Sequence, residues 1–346
     1  MRKKTIAVKV GNVVIGGGGP IVVQTMTKTS TADVEKTVEQ IKEVEKAGGK
    51  LIRVAVPDKD SVLALKKIKQ QVKIPIVADI HFDYKLAIEA IKSGVDKIRI
   101  NPANIGSKEK ICEIIKVAKE YDVPIRIGLN AGAYKKRLKD VKHLMLRQLD
   151  ENVELFEKYK FNKLVISAKT ADVFSTVEIY HAISEKYDYP LHIGITEAGP
   201  LLWGSIKSAV GISILLWQGI GDTIRVSLSS LPVDEVKVGY YILQCLNLAK
   251  YGIEIISCPT CGRCKIDLLK IISEFENEIE KESLVWKNLK VAIMGCEVNG
   301  PGEASSADVG IAMGKTSGVL FIKGRIIKKV SVDNCVKELI EQIKKL

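Results

Sequence analysis

No stretch of the chain approaches the roughly eighteen uninterrupted apolar residues that a bilayer-spanning helix requires. Its start, Met1-Arg2-Lys3-Lys4, lacks the apolar core and small-residue cleavage site of a secretory signal. The expectation is a cytoplasmic protein with no membrane segment. Long Gly/Ser linkers and low-complexity runs are also missing, which leaves no place for a disordered spacer. Cysteines number seven, an odd count in a long chain without secretory features, which argues against a disulfide framework and for metal binding or catalysis. Aromatic residues make up only 5%, and no aromatic and basic stripe accompanies the cysteines, so the net charge of +12 gives little support to a nucleic-acid partner. Much of the excess lies in helical stretches such as Val62-Leu63-Ala64-Leu65-Lys66-Lys67-Ile68-Lys69, which read as solvated faces.

What is present is ample core and a regular alternation. Apolar residues are 46% and charged residues 27% of 346, the balance of a folded chain too long for a single hydrophobic core. Short Val- and Ile-rich runs alternate with longer stretches of helical period, which is βαβ arithmetic. The expected strands are 21–24, 51–54, 76–79, 97–100, 125–128, 164–167, 191–194 and 223–226. Between the first two, Val34, Val38, Ile41 and Val44 share a helical face, Thr31 or Asp33 can cap its start, and Gly48 and Gly49 stop it. Eight such units predict an α/β fold, a (β/α)8 TIM barrel over residues 1–250, with an N-terminal hairpin over 5–19 plugging its bottom. From 251 to 346 the pattern changes to a small α/β module. Its expected helices lie near 265–281 and 334–345, and its expected strands near 291–294, 309–312 and 319–322.

Chemistry in a TIM barrel sits where the strands end. Arg53, Asp79, His81, Arg99, Asn101, Arg126, Asn130, Lys169, Glu197, Arg225 and Ser227 all fall in or just past an expected strand end. A single arginine in a strand is more often a salt-bridged structural residue. Recurrence across four strands, with Lys, Asn and Ser donors interleaved, suits a multiply charged phosphate ligand instead. Side chains alternate in direction along a strand, so a member such as Arg225 could point into the barrel or out of it. Asp79 and His81 stand two apart and project to one side, which allows an orienting or acid–base pair. His143, His181, Cys112, Cys245 and Cys335 fall in helical stretches and read as structural.

Cys258-x-x-Cys261 puts two thiolates in one turn, and Cys296 arrives from a Gly-flanked loop after a strand. Such a set binds zinc or an iron–sulfur cluster. The fourth ligand is open between Cys264, which would complete a four-thiolate zinc site, and Glu303, which ends the Asn299-Gly-Pro-Gly-Glu turn. A carboxylate is held less tightly by a soft metal than a thiolate and would leave one iron accessible to substrate. A rival reading is a barrel enzyme of pterin or aldolase type carrying a structural zinc module.

Taken together, the segments Cys258-Pro-Thr-Cys-Gly-Arg263 and Met294-Gly-Cys-Glu-Val-Asn-Gly-Pro-Gly-Glu-Ala304 closely resemble the cluster motifs of the 4-hydroxy-3-methylbut-2-enyl diphosphate synthase family, also called IspG or GcpE, in its two-domain bacterial form. Val23–Thr27, Ile52–Pro57, Ala78–Asp83, Ile98–Pro102, Ile125–Gly128, Gly194–Gly199 and Ile224–Ser227 look like that family's barrel segments. The resemblance implies a 4Fe-4S cluster on Cys258, Cys261, Cys296 and Glu303, with Cys264 a bystander. It implies reductive ring opening and dehydration of 2-C-methyl-D-erythritol 2,4-cyclodiphosphate in the non-mevalonate (MEP) isoprenoid pathway. Arg53, His81, Arg99, Asn101, Arg126, Asn130, Lys169 and Ser227 would hold the diphosphate. Glu197 and Asp79 would lie near the carbon skeleton, and Asp79, His81, Glu197 and Glu303 would be the catalytic set. A ferredoxin or flavodoxin would donate electrons. A homodimer is implied, in which the cluster domain of one subunit caps the barrel of the other.

Overall fold

A computed structural model of the chain describes residues 2–133, 138–296, 304 and 306–346. The chain divides into two compact units, Met1–Ala249 and Lys250–Leu346.

The first unit opens with an antiparallel hairpin of β1 (Val8–Val10) and β2 (Val13–Ile15), turned at Gly11 with φ +56°, where a Cβ would press on Pro75. Eight parallel strands follow: β3 (Val22–Met26), β4 (Leu51–Ala55), β5 (Ile76–Ile80), β6 (Lys97–Ile100), β7 (Ile125–Asn130), β8 (Leu164–Lys169), β9 (His192–Ile193) and β10 (Thr223–Ile224). Their order is β8-β7-β6-β5-β4-β3-β10-β9, and a parallel bridge from Leu191 to Ile166 joins the last strand to the first, closing the sheet. Helices between the strands turn their apolar faces onto this sheet. In Val34–Lys46 the residues Thr37, Val38, Ile41 and Val44 are buried, and Asp33 caps the start by accepting from Lys36 N. The last two barrel strands are shorter than their apolar runs suggest. In the first of them Gly194 departs from strand geometry at φ +149°, and a Cβ there would overlap the carbonyl of Arg225.

Val8, Val10 and Ile15 of the hairpin pack with Val22, Leu51 and Val165, which stand at or near the starts of β3, β4 and β8. The hairpin therefore seals the N-terminal end of the barrel, as its Val and Ile pattern predicts.

The second unit is a five-stranded sheet in the order β11 (Glu254–Ser257), β12 (Lys290–Met294), β13 (Val309–Met313), β14 (Ser317–Ile322), β15 (Arg325–Ser331); β11, β12 and β13 run parallel and the rest antiparallel. The helices Leu268–Lys281 and Cys335–Lys345 cover one face through Phe275, Leu339, Ile340 and Ile343. Ala292, Met294, Ala304, Ala307, Ala312 and Phe321 cluster on the other. Two strands that the sequence does not announce, β11 and β15, are the two edges of this sheet. Edge strands carry little of the buried alternation that makes a strand legible: β15 exposes five residues in succession, Arg325 to Lys329.

Phe275 is fully buried in this core. The Phe275→Ala variant is expected to lose about 3–5 kcal/mol of stability, through transfer and cavity terms together; urea unfolding monitored on both proteins measures the difference.

Candidate active site

TIM barrels usually fill their interior with Val, Ile and Leu, four to a level, the four contributed by alternate strands. This one does not. Followed around the sheet, the strand pairings set Leu51, Lys97, Val165 and Thr223 at the lowest level, resting on the hairpin. Gln24, Val77, Arg126 and His192 come next, then Arg53, Arg99, Ser167 and Arg225, then Met26, Asp79, Gly128 and Gly194. Lys169 ends β8 at the mouth, with Asn101 and Ser227 just beyond their strands. Contacts agree with these levels: Arg126 Nη1 reaches Gln24 Oε1 at 3.5 Å across the interior, from a strand four places away in the sheet.

Among the described residues, six basic side chains (Arg53, Lys97, Arg99, Arg126, Lys169, Arg225) line this interior, and the carboxylates near them are Asp79 and Glu235. Asp79 is the hub. Arg99 Nη1 donates to its Oδ1 at 3.0 Å, Arg53 Nε stands 3.6 Å from Oδ2, and His81 Nε2 lies 3.3 Å from Oδ2. Burial pushes the Asp79 carboxyl up, but Arg53, the His81 hydrogen bond and Arg99 outweigh it and hold the group well below the usual carboxylate range. Asp79 thus favours its anionic form. Arg99 Nη1 also stands 2.7 Å from His81 Nε2, and its Nη2 donates to the Gly128 carbonyl at 2.8 Å. Gly128 is required here, because a Cβ would lie 2.9 Å from Arg99 Cζ.

Burial draws the Arg53 guanidinium down to about 10, with Asp79 opposing. Burial likewise pushes Lys97, Lys169 and His192 well below their ordinary values, and the neighbouring cations add to it. Several donors in these levels have no hydrogen-bond partner among the described residues: Lys97 Nζ, Gln24 Nε2, and the Nε atoms of Arg99, Arg126 and Arg225. Each buried unsatisfied donor costs about 1–3 kcal/mol. Open donors and surplus positive charge in one enclosed space are the complement of an anion.

Glu235, from the first turn of the helix Pro232–Cys245, is the second carboxylate. It accepts from Thr25 Oγ1 at 2.6 Å and Leu228 N at 3.0 Å, and Arg225 Nη2 approaches both its oxygens at 3.5 Å. Sequence reasoning missed it, together with Gln24, Lys97 and His192. The spacing of Lys97 and Arg99 was a usable signal for one of these, since residues two apart share a strand face. Nothing in the local pattern marked Glu235, which reaches the site from a helix.

The other anticipated residues divide by position. Asn101 is buried, and its side chain accepts from Ala103 N, capping the short helix Pro102–Ile105. Asn130 and Ser227 are half-buried at the mouth. Glu197 is exposed there, held at φ +52°, a left-handed conformation that costs a non-glycine residue about 1–2 kcal/mol. It lines a cleft of about 520 Å³ with Ala131, Gly132, Asp172, Phe174, Thr196 and Lys207, formed by the loops after β7, β8 and β9.

In the second unit, Ser257 pairs with Ile293, so the ends of β11 and β12 are neighbours and Cys258 and Cys296 follow from adjacent strands. Gly295 N donates to Cys258 Sγ at 3.4 Å, and a Cβ on Gly295 would lie 2.5 Å from Cys264 Sγ. Cys264 Sγ in turn donates to the Ile266 carbonyl at 3.3 Å. Cys261 is exposed, and its hydrogen bonds with Arg263 hold the thiol below its ordinary value. None of the four is in a disulfide. Among the described residues no three metal-ligating side chains are drawn together as a closed site; Glu303, the anticipated fourth ligand, lies outside the described residues.

Fold and site together define a TIM-barrel enzyme with a cation-rich barrel interior and a cysteine-bearing second domain. The chain belongs to the GcpE family: the model for the GcpE TIM-barrel domain matches residues 5–240 and that for the GcpE protein C-terminal domain matches residues 254–345. A relative from Caldanaerobacter subterraneus, named 4-hydroxy-3-methylbut-2-en-1-yl diphosphate synthase (flavodoxin), is 53% identical over 351 residues, covering 100% of this chain and 98% of its own. One from Clostridium acetobutylicum with the same name is 52% identical over 347 residues, covering 99% of each. Among solved structures, dihydropteroate synthase of Yersinia pestis covers 71% of this chain and 100% of its own, at a TM-score of 0.51 and 14% identity. Type I 3-dehydroquinate dehydratase of Clostridium difficile covers 71% of this chain and 98% of its own, at 0.52 and 15%. At such low identity these two share the barrel fold alone.

Replacing Asp79 by Asn leaves Arg53 and Arg99 without their buried counter-charge and is expected to cost about 3–5 kcal/mol at pH 7. Because the folded-state pKa lies below that of the unfolded chain, the contribution of Asp79 is complete above about pH 4 and is lost as pH falls further. Urea unfolding of the two proteins across pH should show the full gap at neutral pH and a narrowing gap only below about pH 4.

Proposed function

We infer that the chain carries out the reductive ring opening and dehydration of 2-C-methyl-D-erythritol 2,4-cyclodiphosphate to (E)-4-hydroxy-3-methylbut-2-enyl diphosphate, consuming two electrons and releasing water, in the MEP isoprenoid pathway. The observation that carries this reading is the barrel interior: six basic side chains against two nearby carboxylates, with open donors, in a family whose relatives are named for a diphosphate product. In this reading Arg53, Arg99, Arg126 and Lys169 neutralise the diphosphate, and Asn130, Ser227 and His81 supply further hydrogen bonds at the mouth. Fixed donors of this kind need no reorganisation when the ligand arrives, so binding also positions the reacting carbons. Asp79 holds Arg53 and Arg99 in place and contributes its charge. Glu197, exposed beside the 520 Å³ cleft, is positioned to manage protons near the carbon skeleton.

The thiols of the second domain fit an iron–sulfur cluster. Cys258 and Cys296 lie at adjacent strand ends, Cys258 and Cys264 flank Gly295, and Cys261 has a thiol biased toward the thiolate that ligates iron. Cys258, Cys261 and Cys296 with Glu303 would hold a 4Fe-4S cluster, whose chemistry is the delivery of single electrons at low potential. The relatives' names specify flavodoxin, which supports a flavodoxin as the donor over a ferredoxin. Seven free cysteines support a reducing, cytoplasmic setting. Among the described residues no helix is long and apolar enough to cross a membrane. The helix Leu201–Trp217 exposes Leu201, Leu202, Trp203, Ile206 and Val210, an apolar face that supports a homodimer.

Protein purified without oxygen is expected to contain iron and acid-labile sulfide in equal amounts, and the Cys258→Ser variant to lose both; colourless protein holding zinc alone contradicts the cluster. In the barrel, Arg126→Ala should weaken binding of the cyclic diphosphate by at least ~1.5 kcal/mol, the scale of one charged hydrogen bond, or more than about tenfold in Kd by calorimetry.

A further inference from the structure

Lys97 begins β6 at the lowest level of the barrel, beneath every other cation of the interior. It is fully buried, and Nζ has no hydrogen-bond partner among the described residues. Below it the hairpin presents Val8, Val10 and Ile15. Around and above it stand Gln24 of β3, Arg53 of β4, Asp79 of β5, Arg99 of its own strand, Arg126 of β7, Lys169 of β8, His192 of β9, and Thr223 and Arg225 beside β10. Asp79 is the carboxylate of that set, and Arg53 and Arg99 already occupy its two oxygens. Glu235 is likewise engaged with Thr25, Leu228 and Arg225. An ammonium at Lys97 therefore has no counter-charge of its own among these groups, whereas a bound diphosphate brings at least two negative charges into the levels above it.

We propose that Lys97 takes up a proton when the diphosphate ligand enters the barrel, so that it turns from a neutral amine in the floor into one of the ligand's counter-charges. This rests on reading the barrel as a diphosphate site. Burial together with Arg126 and Arg53 holds the amine of the free protein well below its ordinary value, and an anion overhead reverses part of that. The proton comes from solvent and no bond to Lys97 is made. Uptake occurs at pH values between the depressed value of the free protein and the raised value of the complex, and affinity declines as pH rises through the latter.

The test is titration calorimetry of the full-length protein with 2-C-methyl-D-erythritol 2,4-cyclodiphosphate at a series of pH values from about 6 to about 10, in two buffers of different ionisation enthalpy at each. Each phosphorus of this ligand carries one ester oxygen, one shared anhydride oxygen and a single strongly acidic hydroxyl, so the ligand has no ionisation of its own in that range. Within that range wild type is expected to take up more protons on binding than Lys97→Met. Equal uptake in both, or binding to wild type with no uptake, overturns the inference. Failure of wild type to bind overturns the diphosphate-site reading itself and the inference with it. Where Lys97→Met fails to fold, Lys97→Arg keeps a cation that does not titrate and should show the same loss of uptake. The Lys97 13Cε resonance in lysine-labelled wild type gives a readout without any variant: a ligand-induced shift toward the ammonium position supports the proposal, and an unmoved resonance overturns it.

Discussion

Charge imbalance inside the barrel is the constraint on which the rest of this structure depends. A closed eight-stranded sheet normally gains stability by filling its interior with branched apolar side chains. This chain instead places six basic side chains in or near that space. Withdrawing an unpaired ion from water costs several kcal/mol even after relaxation, so the arrangement is sustainable only where other parts of the molecule compensate. Asp79 does so for Arg53 and Arg99, and Glu235 for Arg225. The apolar hairpin does so differently, closing the bottom of the barrel with Val8, Val10 and Ile15 so that an ordinary hydrophobic layer lies beneath the charged ones.

The glycines of the interior follow from the same constraint. Gly128 and Gly194 share a level with Met26 and Asp79, and a Cβ at either would meet Arg99 or Lys169. Their lack of side chains is the room into which the long cations extend. Stability and recognition are therefore opposed within one layer. Without a ligand the barrel carries strain in open donors and crowded positive charge, and an anion relieves it. Binding energy of that origin is sensitive to where the charge lies, which is how a receptor of this sort favours a compact diphosphate over a neutral sugar alcohol.

The fold was legible because its signals are local and repeated. Each barrel strand is a short Val- and Ile-rich run, and each following helix announces its own cap and apolar face, as Asp33 and Val38 do in the first. The edges of the second sheet were not legible, since Arg325–Ser331 is exposed along most of its length and Glu254–Ser257 has only a half-buried pattern. In the site, Arg53, Asp79, Arg99, Arg126 and Lys169 were readable from charged residues interrupting apolar strands. Gln24 and His192 were not, because a lone neutral polar residue in an apolar strand is as often a hydrogen-bonded core residue as a ligand contact. Glu235 enters from a helix whose sequence gives no sign of facing inward. The two roles of Asp79 separate only in the structure: the sequence pairs it with His81, and the geometry makes it the anchor of two arginines.

In the proposed function, ligand recognition falls to barrel charge and electron supply to the cysteine-bearing domain. Affinity for the cyclic diphosphate, measured by calorimetry on metal-free protein and on protein loaded with iron and sulfide, tests this most directly. The account predicts that metal-free protein binds the ligand within about tenfold of the loaded form, a difference of about 1.4 kcal/mol, and that both weaken together as salt is raised. Binding that appears only after the cluster is loaded would contradict it.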